Sequence, residues 1–147
     1  MQAQQAHHLG GEVHWRKYAD GDVYKVKLRP GDGRDGVIEF PGPKWSLCRG
    51  DTVIGSCGIK TDIDGVGTIW AFFSEEARGE GRKILRFMWQ RLDEAFRDVG
   101  YYRLQACVSV DRPEYAKFIE MIGFQAEGLM RNATPDKRSV WLYSRVK

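Results

Sequence analysis

Apolar and polar residues alternate along much of the first half of the chain, and a period of two residues is typical of half-buried strands. Strands are predicted at residues 12–18, 23–29, 45–49, 52–60 and 66–73. Turn-forming residues lie at 20–22, 49–51 and 62–65. The Gly-, Pro- and Asp-rich run 30–44 leaves room for one short helix near Val37–Phe40. The last three strands are therefore expected to form an antiparallel meander.

From Ile84 onward the apolar period lengthens to about 3.6 residues, which predicts an amphipathic helix that ends at Gly100. Its apolar face comprises Ile84, Leu85, Met88, Leu92, Ala95, Phe96 and Val99. A shorter helix is predicted between a capping box at 111–114 and Gly123. Its apolar face comprises Tyr115, Phe118, Ile119 and Ile122.

Three further strands are predicted at 103–110, 124–130 and 139–146. A strand-helix-strand step inside an otherwise antiparallel set implies an α/β (α+β) fold, with a mixed, mostly antiparallel sheet of about six or seven strands and helices packed on it. Residues 1–11 are expected to be a flexible lead, and residues 12–147 a single domain.

Composition excludes several classes of protein. The net charge of +3, from 23 basic and 20 acidic residues among 147, is too small to indicate nucleic-acid binding. Cys48, Cys57 and Cys107 have neither disulfide-framework nor zinc-site spacing, which favours reduced thiols in a cytoplasmic protein. The longest apolar runs are too short for a membrane span, and the first residues do not have the pattern of a signal peptide.

The junction between the strand 66–73 and the first long helix reads SEEARGEGRKIL. Gly79 and Gly81 would let the backbone curl, leaving N–H groups at the positive end of the helix dipole, which is a ready anion site. Arg78 adds charge there, and Arg82 and Lys83 each oppose the dipole by ~0.3–1 kcal/mol unless an anion offsets it. The alternative is a solvated helix start, with Glu75, Glu76 and Glu80 as counter-charges.

The segment Arg78–Lys83 resembles the signature Gln/Arg-x-x-Gly-x-Gly/Ala of the GNAT superfamily of N-acetyltransferases, and only Lys83 departs from it. The order of predicted elements from about residue 23 to 146 also resembles this family, as does Gly123-Phe124 after the last helix. A Walker phosphate loop and a Rossmann fingerprint are excluded, because neither motif occurs in its required context.

The resemblance implies an acyl-CoA-dependent N-acyltransferase that moves an acyl group, most simply acetyl from acetyl-CoA, to an amine without a metal. It further implies that strands 66–73 and 103–110 splay apart to admit the pantetheine arm. The residues implied to bind coenzyme A are Ala71, Phe72 and Phe73 for the pantetheine arm, and Arg78, Gly79, Glu80, Gly81, Arg82 and Lys83 for the pyrophosphate.

The expected catalytic groups depart from the family pattern. Ile119 stands where the family commonly has a thiolate-protonating Tyr, and Arg112 where it often has an Asn, so Tyr115 is the nearest substitute for the acid. No carboxylate lies in strand 66–73, and the remaining candidates for a general base are Glu39, Asp62 and Asp64. Two alternatives therefore stay open: a non-catalytic coenzyme A-binding or interaction module, and a nucleic-acid-binding or structural protein that uses the basic loop for phosphates.

The acceptor side also departs from the family pattern. The family usually has two helices between its first and second strands, whereas residues 30–44 have room for barely one. Either the site is open, which suits a protein side chain or another large amine, or residues 12–22 and a partner subunit complete it. Exposed edges at 12–18 and 139–146 predict a homodimer. Short proteins of this appearance also occur in bacteriophages, which would place the chain in the cytoplasm of an infected cell.

Overall fold

The computed structural model describes residues 11–30 and 40–147 and contains one seven-stranded sheet with the strand order β1-β2-β3-β4-β5-β7-β6. The strands are β1 (Val13–Lys17), β2 (Lys44–Arg49), β3 (Thr52–Ile63), β4 (Val66–Phe73), β5 (Arg103–Ser109), β6 (Gln125–Met130) and β7 (Val140–Val146). The helices are α1 (Asp22–Lys25), α2 (Gly81–Glu94) and α3 (Pro113–Met121). A 3₁₀ turn (Glu75–Glu80) precedes α2, and a π turn (Ala95–Val99) follows it. The predicted mixed α/β fold class is confirmed.

The chain divides into two compact units: an N-terminal unit, described at residues 11–30, 40–59 and 70–81, and a C-terminal unit of residues 60–69 and 82–147. The expectation of a single domain stays a prediction. Residues 37–39 of the expected short helix lie outside the described residues. The same holds for residues 1–10 of the expected flexible lead.

In the N-terminal unit, β1 pairs antiparallel with β2, and β2 pairs antiparallel with β3. Between β1 and β2 the predicted strand 23–29 is wrong, because Asp22–Lys25 is the helical turn α1. Val23 and Val26 are both buried at a spacing of three residues, which fits one face of a helical turn better than the alternation of a strand.

The carboxylate of Asp22 holds this turn in place. It is fully buried and accepts hydrogen bonds from Arg16 at 2.6 Å, from the Ser46 hydroxyl at 2.7 Å and from the backbone N–H of Ala19 at 2.8 Å. Burial alone would raise the pKa of Asp22, but these donors outweigh it and bring the pKa to about 2.

In the C-terminal unit, β5 pairs antiparallel with β7, and β7 pairs antiparallel with β6. Helix α2 and the π turn bury the predicted apolar face of Ile84, Met88, Leu92, Ala95 and Phe96. The prediction for Val99 is wrong, since its side chain is 58% exposed at the end of the turn. Gly100, with φ 99°, ends this helix as expected. No helix in the described ranges is long and apolar enough to cross a membrane.

Helix α3 begins at Pro113, as a proline in the first turn allows. The predicted capping box at 111–114 is wrong, because the N-cap residue is Arg112 and it makes no capping hydrogen bond through its side chain. At the other end, Gly123 adopts φ 94°, and the Phe124 N–H donates to the carbonyl of Ile119 at 3.2 Å. The expected Gly-Phe step is therefore present in the chain as a helix-ending turn.

The edges of the sheet are β1 and β6. The prediction that residues 139–146 form an edge is wrong, because β7 lies between β5 and β6. The last strand inserts between its hairpin partner β6 and the distant strand β5, and a local sequence pattern cannot reveal such an insertion. The homodimer stays a prediction.

Candidate functional site

After the extended residue Ser74, the segment that follows β4 is helical. The N–H of Ser74 donates to the carbonyl of Ile54 at 2.9 Å, and the carbonyl of Ser74 accepts from the N–H of Ala77 at 3.0 Å. This bond opens the 3₁₀ turn, which continues directly into α2. The expected glycine curl is therefore wrong in its conformation, although it is correctly placed in the chain.

Gly79 and Gly81 have no conformational reason to be glycine. Gly81 has φ −55° and ψ −39°, which any residue adopts in a right-handed helix. Apart from its chain neighbours and the backbone of its own helix, a Cβ added to either glycine would meet no described atom within 4 Å. The absence of both side chains therefore leaves an open approach to the backbone of this segment.

Arginines compensate most of the acidic charge of the 3₁₀ turn. Glu75 pairs with its neighbour Arg78 at 3.1 Å, and the guanidinium of Arg29 reaches it at 4.0 Å. Glu80 pairs with Arg49 of β2 at 3.4 Å. Arg29 and Arg49 are both distant from the turn along the chain, so no local sequence signal indicated them.

The first turn of α2 carries uncompensated positive charge. Arg82 and Lys83 are exposed, and neither makes an ion pair with any residue in the described part of the chain. No acidic residue lies in that turn. At the other end of α2 the charges are paired, since Glu94 binds Arg91 at 2.8 Å and Asp93 binds Arg145 at 2.6 Å. Within the described ranges, two cations without an ion-pair partner therefore lie at the end of the helix where its dipole disfavours them.

The end of β4 lies beyond its parallel register with β5. That register covers the pairs Val66–Arg103, Gly67–Leu104 and Thr68–Gln105. Ala71 is exposed, while Phe72 and Phe73 are half-buried. The ring of Phe73 packs edge-on against Trp15 with ring centroids 6.5 Å apart, and Phe72 packs against Trp70 at 6.1 Å. Aromatic packing therefore fixes the side chains of the strand end.

Tyr115 lies in the first turn of α3 and is half-buried, with the guanidinium of Arg112 5.7 Å from its ring centroid. Ile119 follows one helical turn later and is also half-buried. Tyr115 belongs to the C-terminal unit, whereas Ala71–Phe73 belong to the N-terminal unit.

Of the three candidate bases, Asp62 is hydrogen-bonded and ion-paired, Asp64 lies in a turn and Glu39 is outside the described residues. The carboxylate of Asp62 accepts from the Thr68 hydroxyl at 2.6 Å and pairs with Lys60 at 3.5 Å. Asp64 forms the two-residue turn between β3 and β4 with Gly65, and Glu39 lies outside the described residues. In the described ranges, no group of His, Cys, Asp and Glu side chains is arranged to hold a metal ion.

The thiols of Cys57 and Cys107 are not prepared to act as nucleophiles. Burial raises the pKa of Cys57 to about 12. Cys107 is exposed, and its partial desolvation and the nearby charge of Asp62 also raise the pKa of its thiol above the ordinary value. Both side chains therefore stay protonated at neutral pH.

No family model matches the chain. The GNAT-family acetyltransferase from Streptococcus pneumoniae superposes with a TM-score of 0.71 at 13% identity, over 92% of this chain and 100% of that one. A spermidine N-acetyltransferase chimera from Vibrio cholerae and hSSAT gives 0.68 at 14% identity, over 91% and 95% of the two chains. The ribosomal-protein-S5-alanine acetyltransferase from Vibrio fischeri gives 0.64 at 17% identity over 71% of this chain, which spans 61% of that enzyme. The chain therefore has the fold of GNAT N-acetyltransferases.

Proposed function

We propose that this chain is a member of the GNAT superfamily and an acyl-CoA-dependent N-acyltransferase, with acetyl-CoA as the donor and an amine as the acceptor. The observation that carries the proposal is the open, positively charged backbone at Arg78–Lys83, on a fold whose solved examples include N-acetyltransferases. A structural helix start offers no reason for two glycines and for two cations that have no ion-pair partner among the described residues.

The pyrophosphate of coenzyme A would bind against Gly79–Gly81 and the first turn of α2. Without Cβ atoms on Gly79 and Gly81, a phosphate can approach the backbone closely. Hydrogen bonds within a 3₁₀ turn have poorer geometry than those of an α-helix, so its N–H groups would exchange them for a phosphate oxygen at a lower cost. Arg82 and Lys83 supply full charges that no described acid neutralises. These residues fit the ligand.

The pantetheine arm would pair with the backbone of Ala71–Phe73. The parallel pairing of β4 with β5 ends at Thr68, before this stretch begins. The backbone groups of Ala71–Phe73 therefore take no part in that pairing. The stretch is extended because it belongs to β4, and ring packing fixes the side chains of Phe72 and Phe73. Binding by strand addition of this kind takes its affinity mainly from main-chain hydrogen bonds.

The reaction would be a direct transfer. The neutral amine attacks the thioester carbonyl, a C–N bond forms and the C–S bond breaks; the amine nitrogen releases a proton to solvent, and the departing thiolate takes up a proton. We assign the donor of the thiolate's proton to the Tyr115 hydroxyl, which solvent then reprotonates. Tyr115→Phe is expected to lower kcat by about 100-fold at unchanged KM for acetyl-CoA. Tyr102→Phe, at an exposed tyrosine, is the matched control and should leave kcat unchanged.

Calorimetric titration with acetyl-CoA tests the binding half of the proposal. The native chain should bind with a dissociation constant in the micromolar range, and Gly81→Glu should abolish binding while the circular dichroism spectrum is retained. The cause would be a carboxylate placed against the phosphates, where like charges repel. Absence of binding at several hundred micromolar, or binding that survives Gly81→Glu, would contradict the assignment.

Release of coenzyme A in the presence of small amines, polyamines and lysine peptides tests the catalytic half. Turnover with at least one amine class supports the transferase. Tight binding without turnover across the panel would favour the alternative, a non-catalytic coenzyme A-binding protein. The half-buried Ile119, which stands where the family commonly has its acid, gives that alternative its specific support.

A further inference from the structure

The segment assigned to the pyrophosphate contains carboxylates that would repel this ligand. Glu75, Glu76 and Glu80 place three carboxylates in the 3₁₀ turn, and Glu80 lies directly between the two open glycines. A carboxylate there repels a phosphate unless its charge is compensated and its side chain is held aside. The identity of the group that restrains Glu80 therefore bears on ligand affinity.

Arg49, the last residue of β2, supplies that restraint. Its guanidinium donates to the carboxylate of Glu80 at 3.4 Å and to the carbonyl of Glu76 at 3.5 Å. A third donor contact goes to the carbonyl of Gly11. The side chains of Arg49 and Glu80 are only 19% and 24% exposed, so solvent screens their interaction less than it would a surface pair. One planar group thus joins both ends of the turn.

We propose that Arg49 is a positioning residue for the coenzyme A site. It neutralises Glu80 and fixes the 3₁₀ turn in the conformation that presents Gly79 and Gly81, without contacting the ligand itself. The inference rests on the proposed function for its ligand. The restraint of the 3₁₀ turn by Arg49 is a property of the free protein and can be measured without any ligand.

The test compares the affinity for coenzyme A across a double-mutant cycle of Arg49→Gln, Glu80→Gln and the pair. Arg49→Gln should weaken binding about 10-fold, because Glu80 is left charged beside the phosphates. Glu80→Gln alone should cause no loss, and the double variant should return to within about 3-fold of the native affinity. Arg49→Lys keeps the charge but loses the planar guanidinium with its several donors, so it should recover part of the lost affinity. Arg97→Gln removes one exposed arginine elsewhere and should change nothing.

A second readout needs no ligand. In the free protein, Arg49→Gln should accelerate amide hydrogen exchange of residues 75–81, while residues 84–94 of α2 keep their protection. This arm also covers the case in which native protein does not bind coenzyme A. In that case the proposed function fails, and the exchange arm alone decides whether Arg49 holds the turn.

Three results would overturn the inference while leaving the proposed function intact. The first is native-like affinity of Arg49→Gln for coenzyme A. The second is a double variant as weak as Arg49→Gln, since that would place Arg49 on the ligand rather than on Glu80. The third is unchanged exchange of residues 75–81 in the free variant.

Discussion

Two pairs of glycines in this chain stand in opposite surroundings. Gly65 and Gly123 adopt φ +84° and +94°, and a Cβ on them would lie 2.2 Å from the ring of Tyr102 and 3.3 Å from the side chain of Arg145, respectively. Gly79 and Gly81 lie outside the left-handed region, and a Cβ there would meet no described atom within 4 Å beyond its chain neighbours and the backbone of its own helix. The fold itself requires the first pair and leaves the second pair unexplained.

Charged groups repeat this contrast. The carboxylate of Asp22 finds every partner within the fold, whereas Arg82 has no ion-pair partner in the described part of the chain. Gly128 also has open space around it, but it lies at a register shift of β6, which accounts for it locally. Residues whose identity the fold does not explain are the ones to test for a ligand.

The largest effect is expected at Gly65. Gly65→Ala should lower the free energy of unfolding by about 3 kcal/mol, through the left-handed backbone and the overlap with Tyr102. Gly50→Ala, at φ +58° with open space, is the matched control and should lose only about 1 kcal/mol, because it lacks the overlap. Urea unfolding measures both values. Equal losses would show that Tyr102 swings away without cost.

The next effect is the acid response of Asp22. Its folded pKa of about 2 lies below its ordinary value of 3.8, so its stabilisation is complete above about pH 4 and is lost as the pH falls through about 2. The loss should amount to about 2 kcal/mol in the free energy of unfolding. Urea unfolding between pH 5 and pH 2 measures it, and Asp22→Asn should flatten this part of the profile. An unchanged profile in that variant would assign the acid loss elsewhere, with Glu127, whose pKa is also about 2, as the next candidate.

The spacing of apolar residues along the sequence predicted most of the helices and strands of this fold. Strand β4 was predicted at 66–73 and found as Val66–Phe73, and the buried face of α2 was predicted apart from Val99. Helix α1 was misread because Val23 and Val26 were read within an alternating pattern, while the buried Asp22 that fixes the turn draws partners from distant residues. The order β5-β7-β6 depends on pairing between distant strands, which no local pattern encodes.

The candidate site divides in the same way. The segment 78–83 was visible in the sequence because its glycines and cations are contiguous. Arg49 was not, because it is 31 residues from Glu80 and reaches it only after β2 is placed in the sheet. The assignments of Tyr115 and of Ala71–Phe73 stay predictions until a ligand is measured.

A smaller effect, in the opposite direction for stability, is expected at Gly81. Gly81→Ala should raise the free energy of unfolding by about 0.4–1 kcal/mol, because the helical backbone accepts alanine and the unfolded chain loses freedom. The same change should weaken coenzyme A binding about 10-fold, because the added methyl occupies the approach of the phosphate. Calorimetry together with urea unfolding measures both quantities. A stabilised variant with native affinity would remove the ligand as the reason for this glycine.

The smallest effect is expected at Arg82, and it tests the contrast in charge rather than in shape. Arg82→Gln removes a cation from the positive end of α2, so the free energy of unfolding should rise by about 0.3–1 kcal/mol at low salt. Affinity for coenzyme A should fall about 3-fold, and the difference from the native chain should shrink as salt screens the phosphates. Thermal unfolding and titration at two salt concentrations measure these values. A gain in stability with a loss of affinity is the expected behaviour of a charge retained for a ligand, whereas a loss of both would mean that Arg82 serves the fold.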